Sequence, residues 1–223
     1  MKRPTPTDIV RRLPGGDSRQ AYLTFDDGPD PDYTPRVLDV LAAAGVRATF
    51  FVVGTAAIRY AGLVRRILAE GHEVANHTWS HPRPGLVRPS VARHEVVMAT
   101  QALADIMGRQ PRYFRPPFGR MRRQMTEAAQ DLAQTVVLWS LSGKDWGPLG
   151  RDFLIAKRLA HTQAGDIILL HDARWRYNRP WEMLKILPGF LAQLDGAGVK
   201  LGLLGGDLPP TLIMLRASAS ALS

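Results

Sequence analysis

The sequence contains no cysteine, so disulfides and thiolate metal sites are excluded, and any metal must be held by His, Asp or Glu. It also has no apolar run near the roughly 20 residues that a membrane-spanning helix requires. Proline and charged residues interrupt the N-terminal stretch where the apolar core of a signal peptide would lie. We therefore expect a cytoplasmic protein, with peripheral contact at the membrane as an option. A secreted protein with a trimmed N-terminus would show the same pattern.

Acidic residues are fewer than basic ones: 20 Asp and Glu face 29 Lys and Arg, which gives a formal charge of +9. This charge favours anionic partners such as phosphates, acidic glycans, lipid headgroups or nucleic acid. We do not expect nucleic acid, because no binding motif is present and the aromatic residues do not alternate with the basic runs. The 223 residues, of which 45% are hydrophobic, suit one larger α/β domain with a sizeable core.

Strand-like and helix-like segments alternate about seven times between residues 21 and 205, after an extended basic lead-in (1–20) and before a C-terminal tail (206–223). The predicted strands are 21–25, 48–53, 73–75, 112–114, 135–139, 166–170 and 199–203. The predicted helices are 34–44, 58–70, 91–107 with Ser90 as its cap, 125–132, 152–161 and 181–194, which Pro188 should kink or divide. Residues 140–150 are predicted to form a Gly-rich loop.

This alternation implies parallel strands with crossover helices, arranged as an open doubly wound sheet or as a closed barrel. Several residues with useful chemistry directly follow predicted strands, namely Asp26, Asp27, His77, Arg115, Asp145 and His171. In a (β/α) barrel these positions converge on one face, whereas an open sheet gathers only those beside its switch point. We therefore predict an α/β fold with a TIM-like barrel of about seven parallel strands, complete or incomplete.

Two adjacent carboxylates, Asp26 and Asp27, end the first strand, just before the turn residues Gly28 and Pro29. Because adjacent carboxylates repel each other, a divalent cation on one and a hydrogen-bonding cation on the other would stabilise the pair. This pattern favours one carboxylate as a metal ligand and the other as a base. An Asx turn that merely caps a loop is the alternative.

Two histidines four residues apart, His77 and His81, are predicted to lie on one side of a helical turn, where they can hold one ion. Together with Asp27 they would form a two-His, one-carboxylate site that leaves positions open for water and substrate. Zn²⁺ suits these ligands, and Co²⁺, Ni²⁺ or Mn²⁺ would fit almost as well. A chance pair on a surface helix is the alternative.

Three further groups of residues suggest chemistry. Arg115 precedes two prolines in a stiff turn, so its guanidinium could hold a carboxylate by two hydrogen bonds and keep it ionised. Trp146 and Leu169 could form an apolar wall. His171 could act as a general acid near neutral pH. The alternatives are a rigid loop with an incidental Arg and a buried structural histidine.

The motifs TFDDGP, HTWSH, RPPFG, a loop ending in DW, and LLH follow the order and spacing of the NodB-like polysaccharide deacetylases, which the chain resembles from about residue 23 to 203. The resemblance implies a distorted, incomplete (β/α) barrel. It also implies metal-dependent hydrolysis of N-acetyl or N-formyl groups on an amino sugar in a polysaccharide, oligosaccharide or lipid-linked sugar. The implied roles are metal ligand for Asp27, His77 and His81, base for Asp26, orientation of that base for Arg115, oxyanion donor for the Phe118 N–H, acid for His171, and acyl pocket for Trp146, Leu169 and Asp145.

One position departs from the family pattern. The fourth motif of the family usually reads D-x-x-D-W, and its first Asp pairs with the catalytic histidine, whereas this chain has Ser142 there. One hypothesis is that Asp145, Asp166 or Asp172 replaces that carboxylate. The other is that His171 has a lower pKa and that the pH optimum is more acidic.

Arginines flank the third motif and follow His171, and we expect both groups on the active face. They would suit an anionic acylated amino sugar, for example one linked through phosphate to a lipid, while a solvated basic surface is the alternative. The arginines are Arg109, Arg112, Arg120, Arg122, Arg123, Arg174, Arg176 and Arg179.

The competing function is a catalytically weak or inactive module that binds a glycan or lipid and retains the fold. The oligomeric state is left open.

Overall fold

A computed structural model describes residues 9–13 and 19–204, along which eight strands and seven α-helices alternate. The strands are β1 (Gln20–Asp26), β2 (Thr49–Val52), β3 (Glu73–Asn76), β4 (Tyr113–Phe114), β5 (Thr135–Val136), β6 (Leu141–Ser142), β7 (Ile167–His171) and β8 (Lys200–Leu201). The helices are α1 (Thr34–Ala43), α2 (Gly54–Arg59), α3 (Ala61–Ala69), α4 (Pro89–Met107), α5 (Arg123–Asp131), α6 (Asp152–Leu159) and α7 (Pro180–Gly196). Among these residues, no helix combines the length and the apolar character needed to cross a membrane.

The strands pair in parallel, in the order β5-β4-β3-β2-β1-β7-β6, and β8 pairs with the start of β1. β5 and β6 lie at opposite ends of this order, yet only residues 137–140 connect them in the chain. Such a link spans at most roughly 18 Å, whereas seven strands laid flat would be about 29 Å wide. The sheet must therefore curl until its ends approach each other. The predicted distorted, incomplete (β/α) barrel is confirmed, and an open sheet is excluded.

Residues 9–13, from the predicted lead-in, lie between the two ends of the curled sheet. The Val10 N–H donates to the Val136 carbonyl at 3.0 Å, and the Val10 carbonyl accepts from the Leu138 N–H at 2.8 Å. The Leu13 N–H donates to the carbonyl of Gly165, beside the start of β7, at 2.9 Å. This short segment thus satisfies backbone groups at the incomplete part of the barrel.

Apolar side chains pack on both faces of the sheet, because successive side chains of a strand point to opposite faces. The inner core fills the barrel and consists of Val10, Leu13, Tyr22, Phe51, Ala75, Tyr113, Val137, Ile167 and Leu204. The outer core packs Leu23 and Phe25 of β1 and their counterparts on other strands against the helices. On β1, the side chains of Tyr22, Thr24 and Asp26 therefore point into the barrel. This row of side chains runs from the inner core to the carboxyl end of the strand.

Two helix predictions were wrong in detail, and division of a third helix is excluded. The helix predicted over 58–70 is divided into α2 and α3 at Tyr60, whose φ of −124° and ψ of 44° are not helical. α4 begins at Pro89, a residue whose fixed φ suits the first helical position, so Ser90 lies inside the helix and does not cap it. α7 continues through Pro188 and is not divided there.

The predicted loop 140–150 contains a strand that the sequence did not reveal. Leu141 and Ser142 pair with Ile168 and Leu169 of β7. The strand is only two residues long, and both residues are half-buried, so no apolar run marks it in the sequence. Its existence depends on the free edge that β7 offers on the side away from β1.

The position of Leu13 inside the barrel gives a stability prediction. Leu13→Ala should lower the free energy of unfolding by about 3 kcal/mol, because it leaves a cavity in the inner core. Leu149→Ala, at a half-exposed position, should change it by less than about 0.5 kcal/mol. Chemical denaturation of both variants measures the difference. Equal effects would mean that residues 9–13 do not close the barrel in solution.

Candidate active site

The residues singled out in the sequence gather at the carboxyl ends of the strands. Asp26 ends β1 and His171 ends β7, and these two residues are direct partners in the parallel register. His77 follows β3, and Arg115 follows β4. All the predicted site residues except Arg115 and Asp145 line one cavity of about 640 Å³. This cavity is the candidate active site.

Asp27, His77 and His81 bring three potential ligand atoms within 4.8 Å of one another, and all three residues are buried. Oδ1 of Asp27 lies 3.3 Å from Nε2 of His77 and 3.1 Å from Nε2 of His81. This oxygen accepts no well-formed hydrogen bond, which is unusual for a buried carboxylate. Although burial opposes ionisation, the two imidazoles hold the pKa of Asp27 well below its usual range. The three residues therefore fit a divalent cation.

The tautomer of His77 is determined by a backbone contact. Its Nδ1 lies 2.8 Å from the carbonyl oxygen of Arg115, which can only accept, so Nδ1 carries the hydrogen. The lone pair of Nε2 then faces Asp27 and is available to a metal.

The prediction that the two histidines share a helical turn was wrong. Residues 77–81 form a non-helical loop in which Thr78 has a φ of 71° and His81 a φ of 54°. Asn76 accepts a hydrogen bond from the Thr78 N–H at 2.8 Å, and both the N–H and the hydroxyl of Ser80 bind Glu95 at 2.7 Å. These contacts stabilise the left-handed backbone that brings His81 back towards His77.

Arg115 is fully buried and contacts Asp26 as predicted, but the geometry differs in one respect. Nη1 donates to Oδ1 of Asp26 at 2.6 Å and to the Thr24 hydroxyl at 2.8 Å. Nε and Nη2 donate to the carbonyls of Val137 and Leu138 at 3.2 and 3.1 Å. The carboxylate thus receives one hydrogen bond and not two, because the other donors anchor the guanidinium to the backbone.

His171 is paired with Asp145. Nδ1 of His171 lies 2.8 Å from Oδ1 of Asp145, and the His171 N–H donates to Oδ2 at 2.7 Å. Burial opposes protonation, but the facing carboxylate raises the pKa of His171 to about 9. The hypothesis of a lowered pKa was therefore wrong. The hydroxyl oxygen of Ser142 accepts a hydrogen bond from the Lys144 N–H at 3.1 Å.

The other two carboxylates considered as replacements have different partners. Asp166 accepts from Ser140 at 2.6 Å at the opposite end of β7, and Asp172 accepts from Thr34 at 2.6 Å. Asp145 itself was also predicted to be part of the acyl pocket, and this was wrong. It is completely buried behind His171 and does not line the cavity, because both of its oxygens face that residue.

The remaining predicted residues form the walls. The Trp146 ring meets the His171 ring edge-to-face at 5.3 Å, and Leu169 lies beside them. Phe118 packs on His81 with ring centroids 4.9 Å apart. Its φ of 58° is rare for an aromatic residue, which is typical of backbone held in place at a functional site.

No sequence pattern pointed to Asn178 and Trp175, which contact the triad. Asn178 donates from Nδ2 to Oδ2 of Asp27 at 2.6 Å, and the Trp175 ring packs against His81 at 5.3 Å. Both lie in the loop after β7, where no motif marks them. Only the fold of that loop over the cavity brings them to the metal ligands.

The arginine prediction was wrong for Arg109 and Arg112, which lie away from the active face. Arg109 and Arg112 bind Glu73 at the start of β3, which is the opposite end of the barrel. Arg123 pairs with Glu127 on the same helix. Of the eight arginines predicted at the active face, Arg176 alone lines the cavity.

The family described as Polysaccharide deacetylase matches residues 15–137, more than half of the chain. The chain is a member of the polysaccharide deacetylase family. A family relative, a chitooligosaccharide deacetylase from Bradyrhizobium sp., is 42% identical over 170 residues, which are 75% of this chain and 78% of the relative. A peptidoglycan-N-acetylglucosamine deacetylase from Bacillus cereus is 36% identical over 153 residues, 69% of this chain and 56% of the relative.

The fold of this family member also matches solved structures. A family 4 carbohydrate esterase from Streptomyces lividans, in complex with acetate, superposes with a TM-score of 0.76 at 30% identity, covering 84% of this chain and 93% of the esterase. The family that the motifs predicted is therefore confirmed.

The His171–Asp145 pair gives a prediction about pH. Asp145→Asn should lower the pKa of His171 from about 9, because it removes the carboxylate that favours the charged imidazole. His171 is protonated only below its pKa. As the pH rises, activity that requires this proton should therefore begin to decline at a lower pH in the variant than in the wild type. NMR titration of the ring and the alkaline limb of the pH–rate profile measure the shift. Ser142→Ala is the control and should leave both unchanged; an unshifted His171 in Asp145→Asn would contradict the pairing.

Proposed function

We propose that this protein is a metal-dependent hydrolase that removes N-acetyl or N-formyl groups from an amino sugar in a polysaccharide, oligosaccharide or lipid-linked sugar. One observation carries the proposal. The buried triad of Asp27, His77 and His81 shares one cavity with Asp26 and His171, which are ion-paired from behind by Arg115 and Asp145. A module that only binds a glycan or lipid would need no such set of residues, so that alternative is not favoured.

Asp27, His77 and His81 would hold one divalent cation, and we propose Zn²⁺ because two imidazoles and a carboxylate suit it. When bound, such a cation polarises an amide carbonyl and makes a water molecule more acidic. Asp26 is the proposed base. Its Oδ1 is held by Arg115, and its Oδ2 lies 3.6 Å from Nε2 of His77, so the carboxylate is aimed at the triad. There it can take the proton of an attacking water.

The end of the neighbouring strand β7 would supply the acid. Protonated His171 donates from Nε2 to the departing amine, because an amide nitrogen is a poor leaving group as an anion. Asp145 holds Nδ1 and so directs the other nitrogen into the cavity. The Phe118 N–H is proposed as the donor to the developing oxyanion, and Trp146 and Leu169 as the walls of the acyl pocket.

The relatives described above are named for deacetylation of chitooligosaccharides and of N-acetylglucosamine in peptidoglycan. We propose an N-acylated amino sugar in such a glycan as the substrate of this chain. A lipid-linked sugar at the cytoplasmic face of a membrane, with peripheral contact of the protein, is the second form of the proposal.

The proposal predicts acyl release that requires both the metal and the base. Purified protein should release acetate or formate from N-acylated oligosaccharides, lose this activity with a chelator, and regain it with Zn²⁺. Asp26→Asn should lower kcat by about 10²-fold or more while still binding Zn²⁺, because it removes the base and not a ligand. Enzymatic detection of acetate and formate, together with metal analysis, measures both effects.

His81→Ala is the matched variant, because it should lose both Zn²⁺ and activity. Chelator-resistant release, or full activity in Asp26→Asn, would contradict the mechanism. A protein that binds Zn²⁺ but releases no acyl group from chitooligosaccharides, peptidoglycan fragments or phosphate-linked amino sugars would contradict the proposed function.

A further inference from the structure

Two arginines line the cavity without a partner of opposite charge. Arg83 and Arg176 are both exposed at its rim. Neither guanidinium has an ion pair or a hydrogen bond within residues 9–13 and 19–204. Other arginines of the chain, such as Arg66 and Arg112, are paired with carboxylates. The pair at the rim is thus available to a ligand.

The loop that carries Arg83 is held in place. Arg83 stands between Pro82 and Pro84, which restrict its backbone to an extended conformation. Its carbonyl accepts from the Leu86 N–H at 2.9 Å, and the Pro84 carbonyl accepts from Arg122 at 3.0 Å. The base of the Arg83 side chain is therefore fixed, two residues after the metal ligand His81.

The loop that carries Arg176 is held equally well. Arg176 has a φ of 34°, an unfavourable value for a residue other than glycine. The conformation is maintained by two hydrogen bonds around it, from the Asn178 N–H to the Trp175 carbonyl at 2.7 Å and from the Gly147 N–H to the Tyr177 carbonyl at 2.8 Å. A strained residue at the tip of an anchored loop is typical of a functional position.

The two loops meet at the metal triad, where the Trp175 ring packs against His81. Asp26 and Asp27 are the carboxylates in the cavity lining, and they are buried and engaged by Arg115 and by the histidines. Within the described part of the chain, the rim therefore presents two free positive charges and no negative one. Beside them, Trp175 and Tyr177 are 36% and 66% exposed, and their aromatic rings can pack against sugar rings.

We propose that Arg83 and Arg176 form an anion subsite that binds a carboxylate or phosphate on the sugar unit next to the amino sugar being deacylated. The inference rests on the proposed function, because it assigns the neighbouring part of the same substrate. Guanidinium groups bind both kinds of anion through paired hydrogen bonds. The preferred substrate is therefore an anionic N-acylated glycan and not a neutral one.

The test compares oligosaccharides of equal length: a neutral N-acetylglucosamine oligomer, one with a carboxylate on the adjacent sugar, the methyl ester of that compound, and one with a phosphate monoester there. The wild-type enzyme should show the lowest KM for one of the two anionic compounds, and which one identifies the anion. Arg83→Gln and Arg176→Gln should each raise that KM roughly fivefold, as expected for partly exposed ion pairs, with kcat within about twofold.

Arg65→Gln is the matched control, because it removes the same charge from an exposed position on α3, outside the cavity lining. Arg65→Gln should leave every KM unchanged. Arg83→Gln and Arg176→Gln should leave the KM values of the neutral oligomer and of the ester unchanged. High salt should raise the KM of the anionic compounds in the wild type and less so in the rim variants. Equal KM values for neutral and anionic compounds in the wild type, or equal effects of Arg65→Gln, would overturn the subsite.

If the proposed function were wrong, the protein would release no acyl group from any of the four compounds. In that case, calorimetric titration of the same proteins with the uncleaved oligosaccharides still decides the inference. Tighter binding of an anionic compound that is lost in Arg83→Gln and Arg176→Gln supports the subsite, and equal binding of all four compounds overturns it.

Discussion

The buried charge of Arg115 is the constraint on which the rest of the structure depends. A guanidinium inside a protein costs several kcal/mol unless it is paired and hydrogen-bonded. Here it is compensated by Asp26 and Thr24 of β1 and by the carbonyls of Val137 and Leu138, which follow β5. These groups come from distant strands, so the charge is compensated only when the sheet is curled. The requirement of one side chain thus couples closure of the barrel to the position of the Asp26 carboxylate.

Asp26 and His171, the proposed base and acid, have opposite electrostatic environments in this arrangement. Asp26 faces a cation, whereas His171 faces the carboxylate of Asp145. Because Asp26 and His171 are partners across neighbouring parallel strands, the two ion pairs lie side by side at the carboxyl end of the barrel. The metal triad lies to one side of Asp26, on the loops that follow β1 and β3. In the proposed mechanism, Asp26 accepts a proton at the end of β1 and His171 donates one at the end of β7.

Left-handed backbone recurs around the metal ligands. Asp27, Thr78, His81 and Phe118 all have φ values between 54° and 77°. Each such residue costs about 1 kcal/mol or more, so the surrounding contacts must maintain it. Buried Asn76 does so for the histidine loop, because it also binds α4 through the Val96 carbonyl at 3.0 Å and the Thr100 hydroxyl at 2.9 Å. The convergence of the ligand atoms therefore costs local stability. Contacts with the helices behind the sheet offset this cost.

The sequence alone determined the alternation of strands and helices, the barrel class and most of the residues that line the candidate site. Apolar periodicity and turn residues act locally, and catalytic side chains must follow strand ends in this kind of fold. The tertiary structure decided which carboxylate serves His171, that Leu141–Ser142 is a strand, that Asn178 contacts Asp27, and which arginines face the cavity. Each of these depends on contacts between residues far apart in the chain, so no local pattern could specify it.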